Sequence, residues 1–212
     1  MNRNGPFVTI SVVACRGSTV VPARASTQNP HGLRTELAHQ IFAETEAKFR
    51  VIAHDVGGGF GMKYFVYPEH PLVLWAARRL GRPVKWMSGR NEAFLSDTQG
   101  RDHVTKAGLA LDGEARFLAL KVETVANLGA YVSHLGPLSP SLLYTEMLAG
   151  AYVTPAIYAE VTGVLSNTIF TDAYRGAGRP EAAFVLERLS STRSQGRLAT
   201  QLHLRQQRRI CR

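Results

Sequence analysis

The sequence predicts an α+β fold, with mixed sheets and hairpins packed against helices, and three observations carry that expectation. Two stretches place apolar residues at helical spacing, one long stretch alternates apolar and polar residues on both sides of Asp112-Gly113, and two glycine-rich loops are each led by a β-branched run. No internal repeat is present. At 212 residues, 45% hydrophobic and 19% charged, the chain is long and apolar enough to bury a sizeable core, which excludes a disordered protein and a disulfide-stapled miniprotein. No run of 18 apolar residues exists, so the sequence offers no membrane-spanning helix.

Asn29-Pro30 precedes Leu33, Leu37 and Ile41, with Ala38 and Ala47 beside them, and this spacing predicts an amphipathic helix over about 31–47. Phe49 to Val56 reads as a strand that runs directly into Gly57-Gly58-Gly59-Phe60-Gly61. Pro68 to Leu80 reads as a second helix, with Leu72, Trp75, Ala76 and Leu80 as its apolar residues and Gly81 as its stop. Pro83 to Met87 suits a strand. His103 to Leu111 and Ala115 to Ala126 flank Asp112-Gly113, which favours the positive φ angles of a tight hairpin turn. Tyr158 to Asn167 is a further strand. It leads through Asp172 to the second loop, Tyr174 to Pro180, where Pro180 opens a helix over Glu181 to Leu189 with Ala183, Leu186 and Leu189 on one face.

The formal net charge of +9 invites a polyanionic partner, but it is unevenly distributed. Residues 1–35 and 188–212 hold four and seven arginines and no acid, while the middle holds 14 basic residues and all 16 acids, a net of −2. A nucleic-acid-binding module carries its charge on the folded part that docks, so nucleic acid is disfavoured as a partner of the body. The only cysteines, Cys15 and Cys211, lie in the two basic ends, leaving no disulfide framework or thiolate cluster and making a reducing, cytoplasmic compartment the default. The run Phe7 to Cys15 resembles a short secretory segment with a lipoprotein-like Val-Val-Ala-Cys, yet its length and its Thr9 and Ser11 favour a partly buried strand.

VGGGFGMK lets backbone N–H groups approach an anion, but it matches neither common nucleotide fingerprint. GxGxxG needs glycine where Met62 stands, and a P-loop needs Ser or Thr where Tyr64 follows Lys63. A tight packing turn and a cradle for an anionic or flat ligand both remain open for this loop, and Phe60 between glycines tips the balance towards the cradle. In the second loop, AYRGAGRPE, Arg175 and Arg179 adjoin flexible backbone and a helix N-terminus, a pattern suited to phosphate or carboxylate; a surface turn with Arg179 paired to Glu181 is the plainer alternative. The seven histidines show no HExxH spacing, Asp55, Asp97 and Asp102 form no acid–base pair, and no serine sits in a GxSxG elbow.

Taken together, STQNPHGLRTELA (26–38), RVIAHDVGGGFGMK (50–63), PE (68–69), AARRLGRPVKW (76–86), Arg90-x-Glu92, QGRDH (99–103) and DAYRGAGRPEAAFVLERL (172–189) resemble, in collinear order, a known family. It is the molybdopterin-binding large subunit of the xanthine dehydrogenase, aldehyde oxidase and carbon monoxide dehydrogenase family. The resemblance implies part of a molybdenum-cofactor-binding domain, and hydroxylation of an electron-poor carbon at a molybdenum–molybdopterin cofactor in its cytosine dinucleotide form. It further implies an FAD-binding medium subunit and a 2Fe-2S small subunit as partners, with a small-molecule substrate.

By the same resemblance, Gln28 sets its amide against an oxygen of the metal centre. Gly58, Gly59, Phe60 and Gly61 line that centre and offer backbone to the pterin dinucleotide. Arg175, with Gly176, Ala177 and Gly178, contacts the cofactor from the second loop, and no side chain of the chain is expected to ligate the metal. Tyr64 stands where purine-oxidising members carry glutamate, Ala177 where they carry an aromatic, and Gly176 where copper-dependent CO-oxidising members carry cysteine. The AYRGAGR form is similar to that of CO-dehydrogenase-like enzymes acting on aldehydes or N-heteroaromatics.

The family's general-base glutamate and second pterin-binding domain have no counterpart in these 212 residues. The expected organisation is an atypical segment over 1–25, part of the first molybdopterin-binding domain over 26–189, and an atypical basic tail over 190–212, disordered or out of frame. On that expectation the chain is an internal fragment, inactive alone. Two other readings stand beside it: a small basic protein that binds nucleic acid or an acidic partner through its arginine-rich tail, and a stand-alone nucleotide binder using the GGGFG loop.

Overall fold

The computed structural model describes residues 9–12, 20–193 and 200–206, with side chains described for 20–191; Cys15, Cys211 and the remaining residues of both ends lie outside the described residues. The chain divides into two compact units, Met1–Asp97 and Thr98–Arg212.

The first unit is built on a four-stranded sheet of β1 (Thr9–Val12), β2 (Val21–Ala25), β3 (Phe49–Ile52) and β4 (Val84–Met87), in the order β3-β2-β1-β4. β1 runs antiparallel to both β2 and β4, while β2 and β3 are parallel with Val21 opposite Phe49. A parallel pair needs a crossover, and α1 (Pro30–Thr35) supplies it. Asn29 caps that helix, its Oδ1 accepting from Gly32 N at 3.1 Å.

The helix predicted over 31–47 is shorter. It continues as a π-helical stretch over Glu36–Ile41, where the Phe42 N–H reaches back to the Leu37 carbonyl, and Ala43 then adopts a left-handed φ of 50° that stops it. Leu33, Leu37 and Ala38 are buried as expected, whereas Ile41 and Ala47 are exposed.

α2 (Glu69–Leu80) begins and ends as predicted, with Gly81 left-handed at its C-terminus, but it buries the other face. Val73, Leu74, Ala77 and His70 are inside, and Leu72, Trp75 and Leu80 face outward. Both faces are apolar in sequence; the smaller Val73 and Ala77 lie on the face that is buried, which carries the helix against β1 and β4. A short helix that the pattern did not foretell, α3 (Arg90–Ser96), follows β4, and the Glu92 carboxylate accepts from Gly89 N at 3.1 Å to close its first turn.

The second unit carries the sheet β7-β6-β5-β8, made of β5 (His103–Leu111), β6 (Phe117–Gly129), β7 (Ala156–Leu165) and β8 (Thr200–Gln206). β5 and β6 form the predicted hairpin, with Thr105 opposite Thr124, and β6 and β7 are parallel. The turn is wider than a two-residue loop. Asp112 Oδ1 accepts from Glu114 N and Arg116 N at 3.0 and 2.7 Å, and the positive φ belongs to Ala115 at 64° rather than to Gly113. Within the stretch expected as an atypical basic tail, Thr200–Gln206 pairs with β5, while residues 194–199 and 207–212 lie outside the described residues.

α4 (Leu142–Thr145) and α5 (Arg179–Arg193) belong to this unit, with Tyr144, Leu148, Ala182, Val185, Leu186 and Leu189 joining Leu109, Phe117, Leu120 and Val122 in one core. Full burial of each large apolar side chain contributes about 1.5–3 kcal/mol. On α5 the buried alanine is Ala182, and the expected Ala183 is exposed, because the helix begins at Arg179 and turns its Ala182-Val185-Leu186-Leu189 stripe inward.

Candidate functional site

In the first unit, the chain leaves β2 at Ser26 and is tied at once to the glycine loop. Gln28 N and Thr27 Oγ1 both donate to the Lys63 carbonyl at 3.0 Å, and Thr27 Oγ1 also accepts from Asn29 N at 3.0 Å. These bonds hold Gln28 over the loop, where its Oε1 accepts from Gly61 N at 3.0 Å. A carbonyl oxygen facing an N–H fixes the amide's orientation, so the Gln28 NH₂ points elsewhere and has no partner among the described residues. The approach is close: a Cβ built on Gly59 would stand 2.2 Å from Gln28 Oε1. Glycine is therefore required at 59 for Gln28 to hold its place.

Phe60 sits at the crown of the loop with a left-handed φ of 55° and is 46% exposed. A non-glycine residue held there costs on the order of 1 kcal/mol, and such outliers concentrate at functional sites. Below it, Lys63 is only 2% exposed. Its ammonium donates to the Val56 carbonyl at 2.6 Å and to Ser26 Oγ at 3.0 Å, stapling the loop's entry to the end of β2. Burial pulls its pKa below the usual lysine value, while the charge of Asp97 acts in the opposite direction.

The second unit presents an analogous loop. Gly176, Ala177 and Gly178 have φ of 100°, 43° and 91°, so here too one non-glycine residue is held left-handed between glycines. A Cβ on Gly178 would lie 2.3 Å from the Ser139 carbonyl and 2.8 Å from Tyr144 N, which shows how closely the loop packs on α4 and the segment before it. Asp172 anchors the entry, accepting from Ala173 N and from Leu135 N.

The Arg175 side chain is exposed and has no hydrogen-bond partner among the described residues, which leaves its guanidinium open to an anion. Arg179 is partly spent, donating from its Nη1 to the Gly176 carbonyl at 3.2 Å. The pairing of Arg179 with Glu181, which the plainer alternative required, is not formed. Glu181 is buried and instead faces Arg101, with Nε to Oε2 at 3.9 Å. Arg101 also donates to the Arg175 carbonyl and lies over the Tyr174 ring.

The structure thus brings Gln28, Gly58, Gly59, Phe60 and Gly61 together in the first unit, and Arg175, Gly176, Ala177 and Gly178 in the second. Sequence reasoning missed Arg101 and Lys63 as supports of these loops. Both sit inside quoted motifs, QGRDH and GGGFGMK, but only the folded chain shows what they hold. Among the described residues, no group of three or more His, Cys, Asp or Glu side chains is placed to hold a metal ion, and no helix is long and apolar enough to cross a membrane.

Comparison with known proteins shows the family of the chain. The family model of the molybdopterin cofactor-binding domain matches residues 10–207, a range that runs past both ends of 26–189. The 6-hydroxypseudooxynicotine dehydrogenase complex subunit gamma of Paenarthrobacter nicotinovorans is 39% identical over 144 residues, covering 68% of this chain and 18% of its own length. The carbon monoxide dehydrogenase large chain of Hydrogenophaga pseudoflava is 34% identical over 167 residues, covering 77% and 20%. Among solved structures, quinoline 2-oxidoreductase from Pseudomonas putida 86 superposes with a TM-score of 0.82 at 32% identity, covering 89% of this chain and 24% of that one. The chain therefore spans about a fifth of the length of the curated relatives it matches.

Proposed function

The chain belongs to the molybdopterin cofactor-binding domain family, and from that premise we propose that its two glycine loops bind a molybdenum–molybdopterin cofactor, in the cytosine dinucleotide form, within a larger molybdenum hydroxylase. One observation carries the reading. Gln28 is clamped by its oxygen to Gly61 N, so its NH₂ is left to donate outward, and a Cβ at residue 59 would meet the Gln28 side chain. The unpartnered Arg175 guanidinium on the second loop adds a forked donor suited to phosphate oxygens. The donor set fits the group, because an amide, backbone N–H groups and a guanidinium all favour an anionic ligand rich in acceptors.

When bound, this cofactor supplies the redox metal that the hydroxylation needs; the chain's own residues bind and orient it. Gln28 would hold its NH₂ towards an oxygen of the metal centre, Phe60 would cover that centre and screen it from water, and Gly58 would present backbone, while the Gly61 N–H keeps Gln28 in place. Arg175, with the backbone of Gly176 to Gly178, would fix the anionic part of the cofactor.

For the substrate we infer an aldehyde or an N-heteroaromatic. Tyr64, Gly176 and Ala177 depart from the purine- and CO-oxidising patterns, and relatives named for quinoline, nicotine and nicotinate support the heteroaromatic class. Several relatives are named as large chains or subunits of complexes, which supports partner subunits; we infer from the family resemblance that these carry FAD and 2Fe-2S and that the assembly is cytoplasmic. The chain alone is inactive on this reading, since the general base is not among its residues.

Metal and pterin analysis of the purified chain, expressed in a molybdenum-replete host, tests the proposal. Molybdenum and pterin that co-purify with the wild type and decline in Gln28→Ala support it. A folded chain that carries neither contradicts it.

A further inference from the structure

Three polar atoms of the second unit are buried without a hydrogen-bond partner among the described residues and belong to residues lining one recess: His103 Nδ1, Ser139 Oγ and Glu181 Oε2. Their residues are 6%, 8% and 5% exposed. Native proteins rarely leave one such atom unsatisfied, and three around a single space is a pattern with a cause. The recess measures about 20 Å³, room for about one water molecule. Tyr174 and Ala177 of the second glycine loop also line it.

We propose that this recess is a binding site for one tightly held water, which joins Glu181, Ser139 and His103 against the second glycine loop. The surroundings select water over an ion. Of the three carboxylates lining the recess, Asp102 accepts from Asn127 Nδ2 at 2.8 Å and Asp172 from two backbone N–H groups, and Glu181 Oε2 is the buried oxygen left without a hydrogen bond among the described residues. That remaining oxygen, on Glu181, already has the Arg101 guanidinium 3.9 Å away. An anion would be repelled by the three carboxyl groups. His103 is held neutral, burial pushing its imidazole down to about 4 against the opposing charge of Asp102, so its Nδ1 offers a donor or an acceptor according to tautomer. Serine has the same freedom. Water can donate to Glu181 and adopt either role towards the other two, which no ion can do.

The site has a structural consequence. Its three partners come from the start of β5, the segment before α4 and the first turn of α5, the same pieces that surround the second loop. A water shared among them fixes Glu181, which faces Arg101, which in turn holds the Arg175 carbonyl. The water is independent of whether a cofactor binds, so its presence or absence leaves the proposed function untouched.

A crystal structure of the full chain at a resolution that orders solvent tests this directly. The expected result is one peak within about 3 Å of Glu181 Oε2, Ser139 Oγ and His103 Nδ1. An empty recess, or side chains rotated to pair with one another, overturns it. Thermal unfolding in sodium, potassium, ammonium and magnesium chloride at matched ionic strength supplies the second arm. Equal midpoints are expected, and a rise specific to one cation replaces the water with that ion.

Discussion

Gln28 and Gly61 lie 33 residues apart, yet the Gln28 side-chain oxygen accepts the Gly61 backbone N–H at 3.0 Å, fixing which end of the amide faces outward. This relationship separates two functions of one side chain. Gln28→Glu keeps the acceptor and removes the outward donor, whereas Gln28→Ala removes both. Gly59→Ala should displace Gln28 without altering it, since the added methyl would meet its oxygen. Each variant is expected to weaken pterin retention about tenfold, equivalent to about 1.4 kcal/mol, measured as bound pterin fluorescence after gel filtration. Retention in Gln28→Glu equal to wild type would show that the outward NH₂ makes no contact.

Neighbouring residues of the second loop should respond in opposite senses. Gly178→Ala forces a Cβ against the Ser139 carbonyl at a φ of 91° and should destabilise the chain by at least about 1–3 kcal/mol. Ala177→Gly relieves a left-handed alanine and should be neutral or slightly stabilising. Denaturant midpoints measure both.

Arg101 connects the Arg175 carbonyl, the Tyr174 ring and buried Glu181. Arg101→Lys retains the charge but not the fork, and Arg101→Ala retains neither and leaves Glu181 buried beside no cation. Limited proteolysis within residues 173–179 should accelerate in both variants, more strongly in the alanine one.

The pH dependence of stability should be a balance in which two buried histidines oppose two buried carboxyls. Burial pushes His70 and His103 each down to about 4. From pH 6.5 to 4 the unfolded chain therefore binds a proton at each that the folded chain does not, and the stability present above 6.5 is lost as pH falls. Burial, with Glu69 and Glu92 nearby, pushes Asp97 up to about 6 against the opposing charge of Lys63. Its contribution has the opposite sign, present at low pH and lost as pH rises through 6. Burial pushes the Glu181 carboxyl up in the same sense as Asp97, and each such group contributes at most about 1.4 kcal/mol per pH unit, the histidines losing stability on acidification and the carboxyls gaining it. His70→Gln should reduce the stability lost on acidification between pH 6 and 4, and Asp97→Asn should increase it, read from urea unfolding across the range.

Much of this was legible in the sequence. The β5–β6 hairpin follows from strict alternation, α2 from its Gly81 stop, and both loops from their glycines. The buried face of α2 was not legible, because Leu72, Trp75 and Leu80 make the outward face as apolar as the inward one. The shortened first helix depends on Ala43 adopting a left-handed φ, which alanine does not signal. Arg101 and Lys63 were visible as residues in motifs, but their partners lie 74 and 37 residues away in the chain, and local pattern carries no information about such pairs.

The central claim is that Gln28 and Arg175 face a pterin dinucleotide. Titration of the full chain with isolated molybdopterin cytosine dinucleotide, followed by pterin fluorescence, tests it most directly, with the Gln28→Ala/Arg175→Ala double variant run alongside under matched folding by circular dichroism. Saturable binding by the wild type, weakened at least about tenfold in the double variant, or about 1.4 kcal/mol, is the result expected. No binding by the folded wild type, or equal affinity in the two proteins, would contradict it.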